Sequence, residues 1–171
     1  TGGARDLVLF VRIAVPAKNS RMPLERKFGI SRRLLEVCLD MDFPVFMLER
    51  SPLVLRDLDL IGEINRKSHA SVLFSLIHTA QTPQAEIIDR MEHLAPRPQA
   101  RLDAMCTLAK AGITTGICFM PILPGLCDTP ENIELVIRQT AVAGGRFVLA
   151  APLTLADQQK TYFMQYLQVH H

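Results

Sequence analysis

No stretch of this sequence approaches the ~20 consecutive apolar residues that a membrane-spanning helix needs, so no such helix is expected within it. Its opening residues, Thr-Gly-Gly-Ala-Arg-Asp, have neither an initiator Met nor a signal-peptide pattern. The expectation is a cytoplasmic chain whose natural polypeptide extends further toward the N-terminus. A charge excess is also lacking: 19 basic and 17 acidic side chains leave a formal net charge of +2. That balance gives no sign of a dedicated nucleic-acid clamp. The four cysteines, Cys38, Cys106, Cys118 and Cys127, form no C-x-x-C pair and have no histidine at zinc-finger spacing. A metal site built from this chain alone is therefore not expected. Phosphate fingerprints are missing too. Gly2-Gly3 precedes the first strand pattern instead of following it, and neither G-x-G-x-x-G nor G-x-x-x-x-G-K opens a helix.

What is present is a long alternation. The 171 residues, 49% hydrophobic, are enough for one core and read as a single domain over residues 1–171. Residues 7–15 (LVLFVRIAV) form a nearly continuous apolar, β-branched run of the kind a buried parallel strand needs. Ser31 is placed to cap a helix with Leu34, Leu35, Cys38 and Leu39 on one face, after which Pro44 restarts the chain as the strand PVFML. Asp57 heads a second helix, with Leu60, Ile61 and Ile64 at helical spacing, ahead of a strand over residues 71–77. Residues 79–98 are a long connection in which IIDRMEHL has helical spacing. Pro98 and Gly112 bracket the next helix, before a strand over residues 113–120. Thr129-Pro130 opens a helix with Ile133, Val136 and Ile137 inward, closed by Gly144-Gly145 before a strand over residues 146–151. Thr154 and Asp157 have the spacing of a capping box for a last helix carrying Phe163, Met164 and Leu167. The order is β-α repeated five times. A parallel barrel and a doubly wound sheet both satisfy it.

In a parallel barrel, functional groups gather where strands end. That rule selects Arg50 and Ser51 after the second strand, His78 after the third, and the segment PILPGL from Pro121 after the fourth. Arg50 has the planar fork that binds a carboxylate bidentately, whereas Ser75, polar in mid-strand, is either a ligand contact or a small residue relieving crowding. His78 has the intrinsic pKa for proton transfer, but spacing assigns it no partner, so a hydrogen-bonded structural histidine is the favoured reading. Cys127, beside Gly125 and Asp128 in a loop, is the one cysteine placed to react, its other and favoured reading being an ordinary loop thiol. Arg56, Asp57 and Asp59 read as a solvated helix start.

From Glu49 to Ile61, the sequence ERSPLVLRDLDLI resembles the T-K-S-x-L-x-L-R-D-x-D-L-L segment of spore photoproduct lyase and its relatives, the DNA repair photolyases of the radical S-adenosylmethionine (SAM) superfamily. The likeness continues in LFSLIHTA (residues 73–80) and in residues 95–133, which contain A-P-x-P-x-x-R-L, an A-G-I strand entry and PILPGL. It implies a partial parallel (βα) barrel, α/β in class, of which five of an expected six units are here. Carried over by residue, it implies that Arg50, at the family's lysine, and Ser75, at its strand serine, contact SAM. Met120 and Pro121 would lie beside the same cofactor, with Ser51, His78, Cys127 and Asp128 around the substrate.

Two departures stand out. Residues 17–25 (AKNSRMPLE) replace something like T-D-P-Y-Q-P-x-E, either by divergence or because residues are missing near Ser20. The second is the lack of C-x-x-x-C-x-x-C, the motif whose thiolates hold a 4Fe-4S cluster. In similar enzymes it follows the first strand. A chain without its first unit would lack that motif and keep five units.

The implied activity of the parent enzyme is lyase-like: reductive cleavage of SAM to a 5′-deoxyadenosyl radical that abstracts hydrogen from a substrate. By resemblance the substrate is a DNA photolesion, although the sequence shows no stacking aromatic cluster or basic stripe. Two alternatives come from the residues themselves. One is a cluster-free barrel domain that binds a small anionic ligand or a partner, and the other a non-radical enzyme using Arg50 and His78 for acid-base chemistry. An incomplete barrel leaves the first strand as an open edge, through which self-association is expected.

Overall fold

A computed structural model describes residues 9–11 and 28–170. Within them are five strands, β1 (Leu9–Val11), β2 (Val45–Glu49), β3 (Ala70–Ser75), β4 (Thr114–Ile122) and β5 (Phe147–Pro152). Six α-helices lie between and after them, α3 and α4 both between β3 and β4: α1 (Ile30–Asp40), α2 (Leu58–Lys67), α3 (Ala85–Met91), α4 (Pro98–Lys110), α5 (Pro130–Val142) and α6 (Gln158–His170). A 3-10 turn over Pro52–Asp57 leads into α2. The remainder of the first strand pattern and the divergent stretch at 17–25 lie outside the described residues.

All five strands are parallel and lie side by side in chain order, β1-β2-β3-β4-β5. The order never reverses, so it lacks the switch point that defines a doubly wound sheet. Right-handed crossovers that always step in the same direction place their helices on the same face. The core agrees: Leu35 and Cys38 of α1, Ile61 and Ile64 of α2, Met105 and Leu108 of α4 and Val136 of α5 share one cluster with Met47, Val72, Phe74 and Ile117 of the sheet. Burying side chains of this size stabilises by ~1.5–3 kcal/mol each. The opposite face carries, by register, Leu48 beside Leu73 and Ser75 beside Cys118 and Leu149. Leu149 remains exposed.

β3 is buried along its whole length, its apolar run including the buried serines Ser71 and Ser75. β4 and β5 approach closely at Gly116. A Cβ there would sit 2.5 Å from the carbonyl oxygen of Phe147, a backbone atom that cannot yield without breaking the pairing. Beyond that point the register shifts between Phe119 and Ile122.

Helix ends differ from the expected pattern in two places. α1 starts from Gly29 in the left-handed region (φ 55), and Ser31 is a buried residue inside the helix instead of its cap. Thr154 and Asp157 form no capping box at the start of α6, because the helix begins only at Gln158 and Asp157 itself turns the chain at φ 50. By contrast, Thr129 caps α5 as expected, its hydroxyl accepting from the Asn132 N–H at 3.3 Å. Leu34 and Ile137, expected on the apolar faces of their helices, are exposed, as is Met164 of α6. On α1 this leaves an apolar stripe of Ile30, Leu34, Val37 and Met41 facing away from the core.

The start of α2 is more than a solvated turn. Asp57 is buried and accepts from Arg56 (2.8 and 3.1 Å) and from Arg32 of α1 (3.3 Å). Arg32 also forks onto Asp59 at 2.7 and 3.0 Å, and this hydrogen-bonded guanidinium holds the Asp59 carboxyl down to about 2. The pair is exposed, so its worth to stability is small.

Candidate functional site

The carboxyl ends of four consecutive strands converge on one cavity of about 300 Å³. Arg50 enters it directly after β2, Ile77 just past β3, Pro121 from the end of β4 and Leu153 directly after β5. Met91, Leu123 and Phe163 complete an apolar wall, and Glu92 and His93, just past α3, add polar groups. A volume of this size is at the lower end of the ~300–1,000 Å³ typical of small-molecule sites, which pair apolar walls with a few convergent polar groups.

The polar end is organised around Glu92. Its Oε1 accepts from Arg50 Nη2 at 3.0 Å and its Oε2 from Arg101 Nη2 at 2.8 Å. Arg101 is almost fully enclosed, 1% exposed, and donates twice more: through Nη1 to the Ser75 carbonyl at 2.7 Å and through Nε to the Pro96 carbonyl at 2.8 Å. One guanidinium thus ties the end of β3, the 92–97 segment and the carboxylate that meets Arg50. The remaining hydrogen-bonding capacity of Arg50 is open to solvent, its side chain being 34% exposed.

The residues singled out from the sequence separate into two groups. Arg50 and Pro121 line the cavity, and Met120, half-buried, adjoins Pro121 through a cis peptide bond. The others are held in local structure. Ser75 is buried on the sheet face opposite the helices, and its carbonyl receives Arg101. The Ser51 hydroxyl accepts from the Leu53 N–H at 3.2 Å and caps the 3-10 turn. His78 is fully buried, with Nε2 2.8 Å from Oδ1 of Asp89 on α3, a partner that spacing alone did not assign. Asp128 accepts from the Gly125 N–H at 2.7 Å, which closes the turn after PILPGL.

Cys127 corrects an expectation. It is the loop cysteine, yet it is fully buried, and burial, the largest effect, pushes its thiol up to about 11, with Glu92 and Asp128 contributing. A thiol so placed is inert. It should resist iodoacetamide at pH 8 in the folded protein and react on unfolding, as read by mass spectrometry of the labelled peptide. The sign of its pH effect follows. The folded value exceeds the ordinary value of 9.0, so the stability due to the neutral thiol is full below pH 9 and lost as pH rises through about 11. Urea titrations of the wild type should therefore show a steeper decline over that window than those of Cys127→Ala.

Sequence reasoning passed over Glu92, Arg101, Asp89 and Asn132. Arg101 carried a readable signal, since it is one residue from Leu102 and four from Met105, a charge on an apolar helical face. Asn132 lies fully buried in the first turn of α5. Its Nδ2 donates to the carbonyls of Ile77 (3.0 Å) and Cys127 (2.8 Å), and its Oδ1 accepts from the Thr82 hydroxyl at 2.6 Å. It clamps the loop after β3 to the loop after β4, and so fixes two walls of the cavity.

No protein-family model matches the chain. It is similar to an uncharacterized protein of Mycobacterium tuberculosis, 31% identical over 128 residues, which are 75% of this chain and 36% of that protein. An uncharacterized protein of Acidianus two-tailed virus is 31% identical over 124 residues, 71% of this chain and 39% of that one. An uncharacterized protein of Methanocaldococcus jannaschii is 30% identical over 118 residues, 69% and 41% respectively. The chain thus spans little more than a third of the length of these curated relatives. Among solved structures, Streptococcus suis SuiB shares the fold with a TM-score of 0.57 at 13% identity, over 85% of this chain and 35% of SuiB. At that identity the likeness is one of fold.

Proposed function

We propose that this chain is the SAM-binding part of a radical SAM enzyme of the spore photoproduct lyase and DNA repair photolyase type, a partial barrel of five units that a sixth would precede. The observation that carries the reading is the convergence of four consecutive strand ends on one cavity with Arg50 at its mouth. Strand order without reversal favours a barrel over a doubly wound sheet, and the neighbour in fold, SuiB, is a protein of radical SAM type. Among the described residues β1 ends the sheet, and its outer edge is where the preceding unit, or a second copy of the chain, would add a strand.

SAM fits the cavity by chemistry. Ile77, Leu123 and Phe163 offer apolar surface to the adenosyl moiety, and Arg50 offers a cation to the carboxylate. These residues bind and orient the ligand, and the walls exclude water. The cluster that supplies the electron for radical formation does not fit this chain. Its four cysteines lie apart, on α1, on α4, on β4 and in the loop after β4, and no group of three metal-ligating side chains is assembled among the described residues. Radical chemistry on this reading belongs to a longer polypeptide bearing C-x-x-x-C-x-x-C ahead of β1, with a DNA photolesion as substrate and the cytoplasm as compartment.

Equilibrium binding of labelled SAM to the chain tests the reading. The wild type should bind, and Arg50→Ala should weaken binding by roughly 10-fold or more, the effect of removing a charge-assisted hydrogen bond of ~1.5–3 kcal/mol. Equal binding by both proteins, or none by the wild type, would sink it. The dispersal of the cysteines favours a second reading, a cluster-free domain that binds a small anionic ligand in the same cavity. Acid-base catalysis by His78 is disfavoured by its complete burial behind Asp89.

A further inference from the structure

Glu92 is held by two arginines that are not equivalent. Arg101 is enclosed and spends Nε, Nη1 and Nη2 on the Pro96 carbonyl, the Ser75 carbonyl and Glu92 Oε2. Arg50 faces the cavity and is a third exposed, with Nη2 3.0 Å from Glu92 Oε1. Two guanidiniums against one carboxylate leave a single positive charge at the cavity mouth. Arg50 is partly solvated, so this charge acts at the moderate dielectric of a protein surface, still well below that of bulk water.

From this geometry we infer that Glu92 is a built-in stand-in for a ligand carboxylate and sets the specificity of the cavity for monocarboxylates. A ligand with one carboxylate takes the outer arm, Arg50, in exchange with Glu92 Oε1, while Arg101 keeps Glu92 Oε2 in place. One incoming negative charge brings the cluster to neutrality. A phosphate dianion exceeds it and meets the Glu92 carboxylate within the same cavity, so it is rejected by repulsion as well as by poorer balance. Because Arg50 exchanges one carboxylate for another, affinity is moderate and discrimination is the larger gain. Glu92 is here a positioning residue acting through Arg50. The inference rests on Arg50 being the ligand's anionic contact, and it deepens that reading by naming the charge class admitted.

The test is a nuclear magnetic resonance titration of the full chain. It follows the Glu92 side-chain carboxyl carbon and the Nε signals of Arg50 and Arg101, assigned with Glu92→Gln and Arg50→Lys. Sodium acetate, SAM and inorganic phosphate are added separately. Acetate and SAM are expected to move Glu92 and Arg50 together and leave Arg101 in place. Phosphate should do little in the wild type and bind Glu92→Gln about 10-fold more tightly, the repelling charge being gone. If neither acetate nor SAM moves Glu92, if Arg101 moves with Arg50, or if phosphate moves Glu92 and Arg50 in the wild type as readily as acetate does, the inference is overturned. SAM binding with Glu92 unmoved keeps the SAM reading and removes this one; acetate exchange without any SAM response does the reverse. Should Glu92→Gln fail to fold, the wild-type titrations alone decide.

Discussion

Arg101→Met is expected to destabilise the protein by about 3–5 kcal/mol, the range for removing one partner from a buried charged pair. For a chain of this size that corresponds to a melting temperature lower by roughly 10 °C. The magnitude follows from what is left behind. The Ser75 and Pro96 carbonyls lose their donor, and Glu92 keeps only Arg50. Methionine matches the aliphatic stem of arginine in length, so the loss is one of charge and hydrogen bonds more than of packing. Adding Glu92→Leu to Arg101→Met should recover part of the deficit, because replacing both members of a buried pair costs less than orphaning one. Thermal unfolding followed by circular dichroism measures both. A single-variant loss below about 1 kcal/mol, the median for exposed pairs, would mean that the network is peripheral.

The second large effect is all-or-none. Given iron, sulfide, dithionite and SAM under anaerobic conditions, the 171-residue chain should retain no stoichiometric iron and form no 5′-deoxyadenosine. The reason is positional: Cys38 and Cys106 are on helices α1 and α4, Cys118 is on β4, and burial disfavours the thiolate of Cys127. On the proposed reading, a longer polypeptide with C-x-x-x-C-x-x-C ahead of β1 forms the product under the same conditions. Chromatographic detection of 5′-deoxyadenosine from the short chain would show a cluster site within these residues. Its absence from a cluster-loaded longer chain would leave the ligand-binding reading standing.

Strands and helices were legible because each buries one pattern. LVLFVRIAV, SVLFSLI and TTGICFM are apolar without alternation, as strands covered on both sides are, and Leu60, Ile61 and Ile64 recur at helical spacing. The alternation left strand order open between a barrel and a doubly wound sheet, because no local pattern records which strand a crossover returns to. The polar heart of the site was much less legible. Arg50 was found because it follows a strand directly, whereas Glu92 and Asp89 come from the long 79–98 connection. Their roles depend on how that segment folds back over β3, which no local period records. Cys127 misled for a related reason. A loop position reads as exposed, but Asn132 and the Leu123 backbone draw this loop inward, with the Cys127 N–H on the Leu123 carbonyl at 2.8 Å.

The unreversed strand order also bears on how the chain acquires its shape. Val45 pairs with Ala70, Ser71 with Thr114 and Gly116 with Phe147, so every pairing joins strands consecutive in the chain, across one helix or, between β3 and β4, across two. No strand waits for a partner from the far end of the sequence. Loop-closure entropy is met in modest instalments, and each completed step presents the template for the next. Assembly can then proceed in the direction of synthesis, β2 onto β1 and β3 onto β2, with the growing edge at the C-terminal side until β5 is laid down. During translation the aggregation-prone surfaces are therefore the β1 edge and a single growing edge.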